Sequence, residues 1–521
     1  MFKYIEPVLS SAEMKHTEER VINTQGIPSL CLMEEAALFL TNSCISNQII
    51  NKHSSILVVC GSGNNGADAF CIARILFLKG FDVNILFIGD EYKLTHEAAI
   101  HKNVCQNLCI EFIKSEDLNF KNYTVIIDGI FGIGLSREVS GQYYDAIRSI
   151  NECSKSNFAK VISIDIPSGL SADNGKVLNI AVKADYTFSF GFKKRGYFLG
   201  KGPDYVGQLL CDNISMSLDD SLSDYSFTAT FEQLIKSLPS RIPTGNKGSF
   251  GKVLCISGSS NMAGAMILSS KAAFKSGAGM VKIISDEVNR TSSLHEIPEA
   301  MFESIDDLID KTTNELLYNK IKNDLKWCDC IIIGPGLSVD VVKQKILMFV
   351  LENSEKPVIV DADALNIIAK DKNLFFDILK KRGSSNRTTI ITPHPGEFAR
   401  LFDADIKEFE HQKIDYLKEL ATSNKIYICS KDASTVCCDG EHVYINTCGC
   451  NAAATAGSGD VYTGIIGALM CVVPNPFDAI VISTALHGKA SYEAGRKYSN
   501  YSVTASDIIS EVSELLKTYK Q

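Results

Sequence analysis

Two glycine-rich stretches hold the residues best suited to chemistry. The first, "CGSGNNGADAF", follows the apolar run "SILVV" and leads into "CIARILFLKG". Gly61, Gly63 and Gly66 spell G-x-G-x-x-G after a strand-like run, a spacing associated with turns that grip a pyrophosphate. Asp68 stands two residues past the third glycine, where its charge would repel that anion at the helix N-terminus. Asn64 and Asn65 fill the turn with both donors and acceptors, which suits a polar, partly cationic guest better than a bare phosphate. An ordinary βα turn capped by Asn and Asp is the plain alternative.

The second stretch, "AGSGDVYTGIIGALM", opens an apolar helix with Gly457, Gly459 and Asp460. Amides at such a helix start are free to bind an oxyanion, and the adjacent carboxylate could take a proton from a hydroxyl. That combination fits phosphoryl transfer to an alcohol. It is neither G-x-x-x-x-G-K-[ST] nor a protein-kinase glycine loop. "TPHPGEFARL" and "SKDAST" accompany it, and His394 lies between two prolines that stiffen its loop; a core histidine is the alternative there.

In the first half, Asp128 ends "VIID", and Asp165 and Ser168 belong to "SIDIPSG". With Asn64, Asn65 and Asp68 they offer hard oxygen ligands for an alkali cation or Mg²⁺, and a remaining carboxylate could move protons. Helix capping by Asp128 and Asp165 accounts for them equally well. "GIGLSRE", residues 132–138, is a second turn able to close on a ligand.

These residues need strands that end together, and the sequence supplies them. "SILVVCG", "DVNILFIG", "YTVIIDGIFG" and "KVISIDIPSG" alternate with helical patterns, and each ends in Gly, Asp or Ser. After the acidic, small-residue stretch "MSLDDSLSDYS" at 216–226, read as a linker, the alternation restarts with "GKVLCISGSS", "CDCIIIGPG", "PVIVDADALN", "TTIITPHPGE" and "KIYICSKDAST". Two parallel α/β domains are predicted, with ligands at the carboxyl ends of the strands.

The chain of 521 residues is long enough for two or three domains, and its net charge of -9 gives no footprint for nucleic acid or an anionic membrane. The opening "MFKYIEPVLSSAEMK" lacks the pattern of a secretory leader, and no apolar run approaches the roughly 20 residues that span a bilayer. Seventeen cysteines without a C-x-x-C spacing read as reduced core residues. A soluble, cytoplasmic protein is expected.

"GSGNNGADAF", "DGIFGIGL" and "DIPSG" resemble the NAD(P)HX epimerase domain. "GNKGSFGKVLCISGSSNMAGA", "IIGPGL", "DADALN", "TPHPGEFARL", "SKDAST" and "AGSGDVYTG" resemble the NAD(P)HX dehydratase domain of the ribokinase-like superfamily. Their order over nearly the whole chain is similar to that of the bifunctional NAD(P)H-hydrate repair enzymes. The resemblance implies a Rossmann-like three-layer α/β/α epimerase domain at 1–217 and a ribokinase-like α/β dehydratase domain at 226–521. The implied activity is epimerisation of the R and S hydrates of NADH and NADPH, and ADP-dependent dehydration of the S form back to NAD(P)H.

By the same resemblance, Asn64, Asn65, Gly66, Ala67, Asp68, Gly132, Ile133, Gly134, Leu135, Ser136, Arg137, Glu138 and Asp165 contact the epimerase substrate. Asp165 is the implied acid/base there, and Asn65, Asp128 and Ser168 match potassium ligands. Ala265, Gly336, His394 and Asp460 match hydrate-binding positions of the dehydratase, with Asp460 the implied base. Lys431, Asp432, Ala433, Ser434, Thr435 and Gly459 match ADP-binding positions, and Gly457 joins them in the anion turn. The expected cofactors are ADP (ATP being the alternative nucleotide), Mg²⁺ and K⁺. The expected partners are NADHX and NADPHX, with no nucleic acid and no membrane, and a homo-oligomer is expected.

The chain departs from the family pattern in places. Ala67 and Ala69 stand where N-N-G-G-D-G has glycines, so a positive φ at either position would be strained. Asp432 replaces a common glycine, and "CGCNAAATAGSGD" approaches the anion turn differently. A ribokinase-like kinase for a sugar or hydroxymethylpyrimidine, with an N-terminal nucleotide-sensing domain, is the competing reading.

Overall fold

A computed structural model describes residues 5–156, 159–218, 225–306 and 315–519, with side chains from residue 319 onward in the last segment. The chain divides into two compact units, Glu6–Ser226 and Phe227–Gln521, the second also including Met1–Ile5. Of the stretch read as a linker, residues 219–224 lie outside the described residues.

Among the described residues, the main sheet of the first unit has seven strands, all paired parallel, in the order Glu111–Phe112, Asp82–Phe87, Ser55–Cys60, Val125–Gly129, Lys160–Ile164, Tyr186–Phe190 and Gln208–Asp212. Ile56, Val58 and Cys60 face one apolar cluster with the helices Ser29–Ser46 and Asn64–Leu78. Leu57 and Val59 face another, with Ala146, Ile147 and Ile150 of the helix Gln142–Lys155. Burial on both faces explains why these strands read as unbroken apolar runs. The result is the expected three-layer α/β/α arrangement. Strand order reverses between Ser55–Cys60 and Val125–Gly129, so a crevice opens beyond their carboxyl ends.

The glycine pattern of the first turn serves this packing. Gly63 caps the helix Asn64–Leu78, and none of the three glycines has a positive φ. A Cβ on Gly61 would lie 2.1 Å from the Ile130 carbonyl oxygen, and one on Gly66 would lie 2.0 Å from that of Gly61. Ala67 and Ala69 are fully buried on the same helix without positive φ. The strain expected at those alanines is therefore absent, because the helix begins before them. Ala69 instead faces Gly129, where a Cβ would approach within 2.4 Å.

In the second unit the order is Met301–Ser304, Met280–Ser285, Lys252–Ile256, Cys330–Ile333, Val358–Val360, Thr389–Ile391 and Tyr427–Ser430, all parallel. Order again reverses beside the first strand of the unit's α/β alternation, between Lys252–Ile256 and Cys330–Ile333. The sheet continues with Val436–Cys438 and Val443–Ile445, which pair antiparallel. This departs from the purely parallel expectation: "STVCCDGEHVYIN" folds back too tightly for a crossover helix. All seventeen cysteines are free and most are buried. Among the described residues, no helix is long and apolar enough to cross a membrane.

Candidate active sites

The crevice of the first unit is a cleft of about 810 Å³. Asn64, Asn65, Asp68, Gly132, Ile133, Gly134, Leu135, Ser136, Arg137 and Asp165 line it together. Gly66 and Ala67 lie behind it, buried in the helix, and Glu138 does not line it. The lining groups that escaped the sequence reading include Glu18, on the helix Ser11–Asn23, Lys194 and Phe190.

Lys194 organises the acidic end of this cleft. Its ammonium, on a side chain only 1% exposed, meets Asp165 Oδ1 at 2.5 Å and donates to the Phe190 carbonyl at 2.7 Å. Asp165 has φ 61°, an unusual conformation for a residue with a side chain, and its carbonyl accepts from the Tyr197 hydroxyl. Burial pushes the Asp68 carboxyl well above the usual carboxylate range; the Asp165 and Glu18 charges add to the rise and Lys194 opposes it. Burial likewise raises Glu18. A carboxyl biased by burial toward its protonated form therefore shares the cleft with a lysine-paired carboxylate, an arrangement suited to acid and base roles on one substrate.

Beneath the cleft, Asn65, Asp128 and Ser168 converge. Asp128 is fully buried; it accepts from Ser168 Oγ at 2.6 Å, and from Ser163 Oγ and the Ser168 amide at 2.9 Å. Asn65 Nδ2 and Ser168 Oγ both reach the Phe131 carbonyl, at 2.9 and 3.2 Å. Among the described residues, no lysine or arginine pairs with Asp128, and burial raises its pKa. One buried carboxylate amid neutral oxygens has the charge and hardness that suit a monovalent cation. A different trio, Glu34, Cys71 and His101, brings ligand-type atoms within 4.8 Å of one another. The Arg74 guanidinium already bonds both Glu34 and Cys71 there and supplies the cation.

In the second unit the site gathers at the carboxyl ends of four parallel strands and at one helix start. Gly457, at φ 88°, caps the helix Ser458–Leu469 with no side-chain cap. Val461 makes an early helical bond to the Gly457 carbonyl, so the amides of Gly459 and Asp460 remain open to a ligand. Lys431 Nζ lies 3.4 Å from where a Gly459 Cβ would sit, and pairs with Asp361 Oδ1 at 2.7 Å. Burial pushes the Asp460 carboxyl up to about 7; Asp361 adds to this and Lys431 opposes it.

His394 is exposed, which rules out the core alternative; its Nδ1 accepts from the Gly396 amide at 3.0 Å and its own amide donates to Glu397 at 2.9 Å. Glu397 is buried, with its pKa raised by burial and partly offset by Lys431, so it links His394 to the Asp361–Lys431 pair. Gly336 and Ala265 meet across the strand reversal, where a Gly336 Cβ would lie 2.9 Å from that of Ala265. Lys431 to Thr435 form the turn of the hairpin between Tyr427–Ser430 and Val436–Cys438. Asp361 and His487 were not singled out from sequence. His487 Nε2 lies 3.0 Å from Ser458 Oγ in the anion turn, and burial lowers it to about 4, so it stays neutral near pH 7.

The comparisons with known proteins divide along the same line. A family model described as YjeF-related protein N-terminus matches residues 29–196, and one described as NAD(P)H-hydrate dehydratase matches 253–514. A bifunctional NAD(P)H-hydrate repair enzyme of Dictyoglomus turgidum is 30% identical, over 96% of this chain and 96% of its own. The protein of the same description from Escherichia coli K12 is 31% identical, over 97% of this chain and 93% of its own. Among solved structures, the ADP/ATP-dependent NAD(P)H-hydrate dehydratase of Bacillus subtilis is 27% identical over 56% of this chain and 97% of its own, with a TM-score of 0.47. Matched end to end with these relatives, the chain belongs to the family of bifunctional NAD(P)H-hydrate repair enzymes, which join an epimerase to a dehydratase.

Proposed function

We propose that the cleft of the first unit interconverts the C6 epimers of hydrated NADH and NADPH, and that the cluster around Asp460 dehydrates the S epimer at the expense of ADP. The observation that carries this reading is that one chain holds both sites, each at a strand-order reversal and each pairing a lysine with one carboxylate beside a second carboxyl group of raised pKa. A sugar or pyrimidine kinase would leave the first cleft without a task.

At the second site, the C6 hydroxyl of the hydrate gives its proton to Asp460 as its oxygen bonds to the terminal phosphorus of ADP, whose bond to the bridging oxygen breaks and releases AMP. The open amides of Gly459 and Asp460 and the Lys431 ammonium face the charge that develops there. Phosphate then leaves C6, driven by the ring nitrogen lone pair, C5 gives up a proton to solvent as the C5–C6 double bond re-forms, and NAD(P)H is restored. Ala265, Gly336 and His394 border the hydrate, and the Lys431–Thr435 turn borders the nucleotide. Asp361 and Asp363 are engaged by Lys431 and by the Ser338 amide, so Mg²⁺ would be held chiefly by the nucleotide's own phosphates, whose charge it would offset.

At the first site, hydroxide leaves C6 with help from the same lone pair and water returns to the opposite face. Asp68 holds a proton for the departing oxygen, and Asp165, oriented by Lys194, takes one from the incoming water. Asn65, Asp128, Ser168 and the Phe131 carbonyl would hold K⁺, which would supply positive charge next to the loop at 132–138.

The test is to incubate the full chain with a mixture of R and S hydrated NADH plus ADP and to follow reduced-nicotinamide absorbance. Recovery of both epimers is expected, with Asp128→Ala raising the potassium needed for the R form alone. Recovery that stops at the S fraction would sink the epimerase assignment, and no recovery at all would sink the dehydratase.

A further inference from the structure

Asp432 places a carboxylate inside the Lys431–Thr435 turn, the turn proposed above to face the nucleotide. It follows directly on Lys431, whose ammonium stands over the anion turn. A carboxylate there sits on the wrong side of the charge balance for any phosphate bound at Gly457–Gly459. The structure holds a compensation. Lys413, the first residue of the helix Lys413–Asn424, reaches Asp432 Oδ2 at 3.2 Å. The Lys413 side chain is 4% exposed and that of Asp432 is 34% exposed. The ammonium is therefore enclosed in protein, and its only carboxylate within 4 Å among the described residues is Asp432. Asp432 Oδ1 is engaged as well, accepting from the Ala433 amide at 2.8 Å. Burial lowers the Lys413 pKa, and Asp432 is the leading influence that raises it back.

An enclosed lysine with a single exposed-side partner is a costly arrangement that a plain surface turn does not require. We propose that Lys413 is a positioning residue for nucleotide binding. It cancels the charge that Asp432 brings to the Lys431–Thr435 turn and ties that turn to the helix behind it. The chain thereby tolerates a carboxylate in a position where it would otherwise repel the phosphates. This rests on the reading of the turn as the nucleotide site. Lys413 touches the turn from behind, so its removal acts on affinity rather than on the chemical step.

The experiment titrates ADP into the full-length protein by calorimetry, for the parent, Lys413→Met, Asp432→Asn and the double variant, with melting temperatures taken without nucleotide. Methionine retains the buried stem of Lys413. Lys413→Met is expected to weaken ADP binding about 10-fold, the order of effect of one uncompensated charge beside a bound anion. Asp432→Asn alone should bind ADP at least as tightly as the parent. The double variant should return to within about three-fold of the parent, a recovery that a merely structural role for Lys413 would not give. In steady state, Lys413→Met should raise KM for ADP and leave kcat within about two-fold. Parent-like affinity in Lys413→Met, weakened binding in Asp432→Asn, or a double variant as weak as Lys413→Met would each overturn the proposal. Should Lys413→Met not fold, the Asp432→Asn arm decides alone. Lys431→Met separates the two levels: if it leaves ADP affinity unchanged, the nucleotide site itself is misplaced, whereas its weakening alongside an unaffected Lys413→Met defeats only the pair.

Discussion

The two sites solve one electrostatic problem with opposite emphasis. In the first unit a lysine that is 1% exposed holds Asp165 at 15% exposure, and the second carboxyl, Asp68, is pushed well above its ordinary range. In the second unit the lysine is 20% exposed, its partner Asp361 is 2% exposed, and the second carboxyl, Asp460, reaches only about 7. Where the lysine is sealed in, burial biases the free carboxyl toward its protonated form, the form that suits an acid. Where the lysine faces the opening, the free carboxyl is poised to lose its proton and act as a base.

The largest expected effect breaks the second member of this comparison. Asp460→Asn preserves volume and removes the proposed base, so NAD(P)H recovery from the S hydrate should fall by about 10²- to 10⁴-fold while epimer exchange, followed by chromatography, is unchanged. Retention of a tenth of the rate would remove Asp460 from that role. The parent's kcat should climb as pH rises through about 7, because the base works unprotonated and its carboxyl is held near that value. Lys431 opposes that rise, so Lys431→Met should move the inflection to higher pH.

Next in size is the first member. Lys194→Met leaves Asp165 without its cation, and epimer exchange should drop about 10²-fold or more, with dehydration of pure S hydrate intact. An exchange rate above about a third of the parent's would show that Asp165 does not depend on the lysine. The smallest effect concerns the alanines of the first turn. Ala67→Gly should lower stability by about 0.5–1 kcal/mol through helix entropy and leave exchange within about two-fold. A several-fold gain in exchange would mean that the alanine does obstruct the site.

Much of the fold was legible, because most strands buried on both faces read as apolar runs followed by small or polar residues, although Tyr186–Phe190 and Met280–Ser285 were not among the runs read. The residues that end those runs, such as Asp128, Asp165 and His394, were legible for the same reason. Lys194 was not. It lies in "FKKRGY", a basic stretch that reads as surface, and its burial follows from contacts with Asp165, 29 residues away. Glu18 sits on a polar helix that precedes the first motif, and nothing local marks its face toward the cleft. Asp361 was quoted within "DADALN" but its role depends on Lys431, 70 residues on. The alanines were misjudged in the other direction. A motif written with glycines suggested a strained turn, whereas the backbone there is already helical.

The hairpin turn has a consequence for how this protein can vary. Ser430 pairs with Val436 and Cys429 with Cys437, so the residues from Lys431 to Thr435 span a gap of fixed length between antiparallel strands. Adding or deleting one residue would either bulge the hairpin or turn every later side chain of its second strand, including the buried Val436 and Cys438, to the opposite face. Diversity at this turn is therefore confined to exchange of side chains at constant length, and adaptation to a different nucleotide would proceed by substitution before insertion.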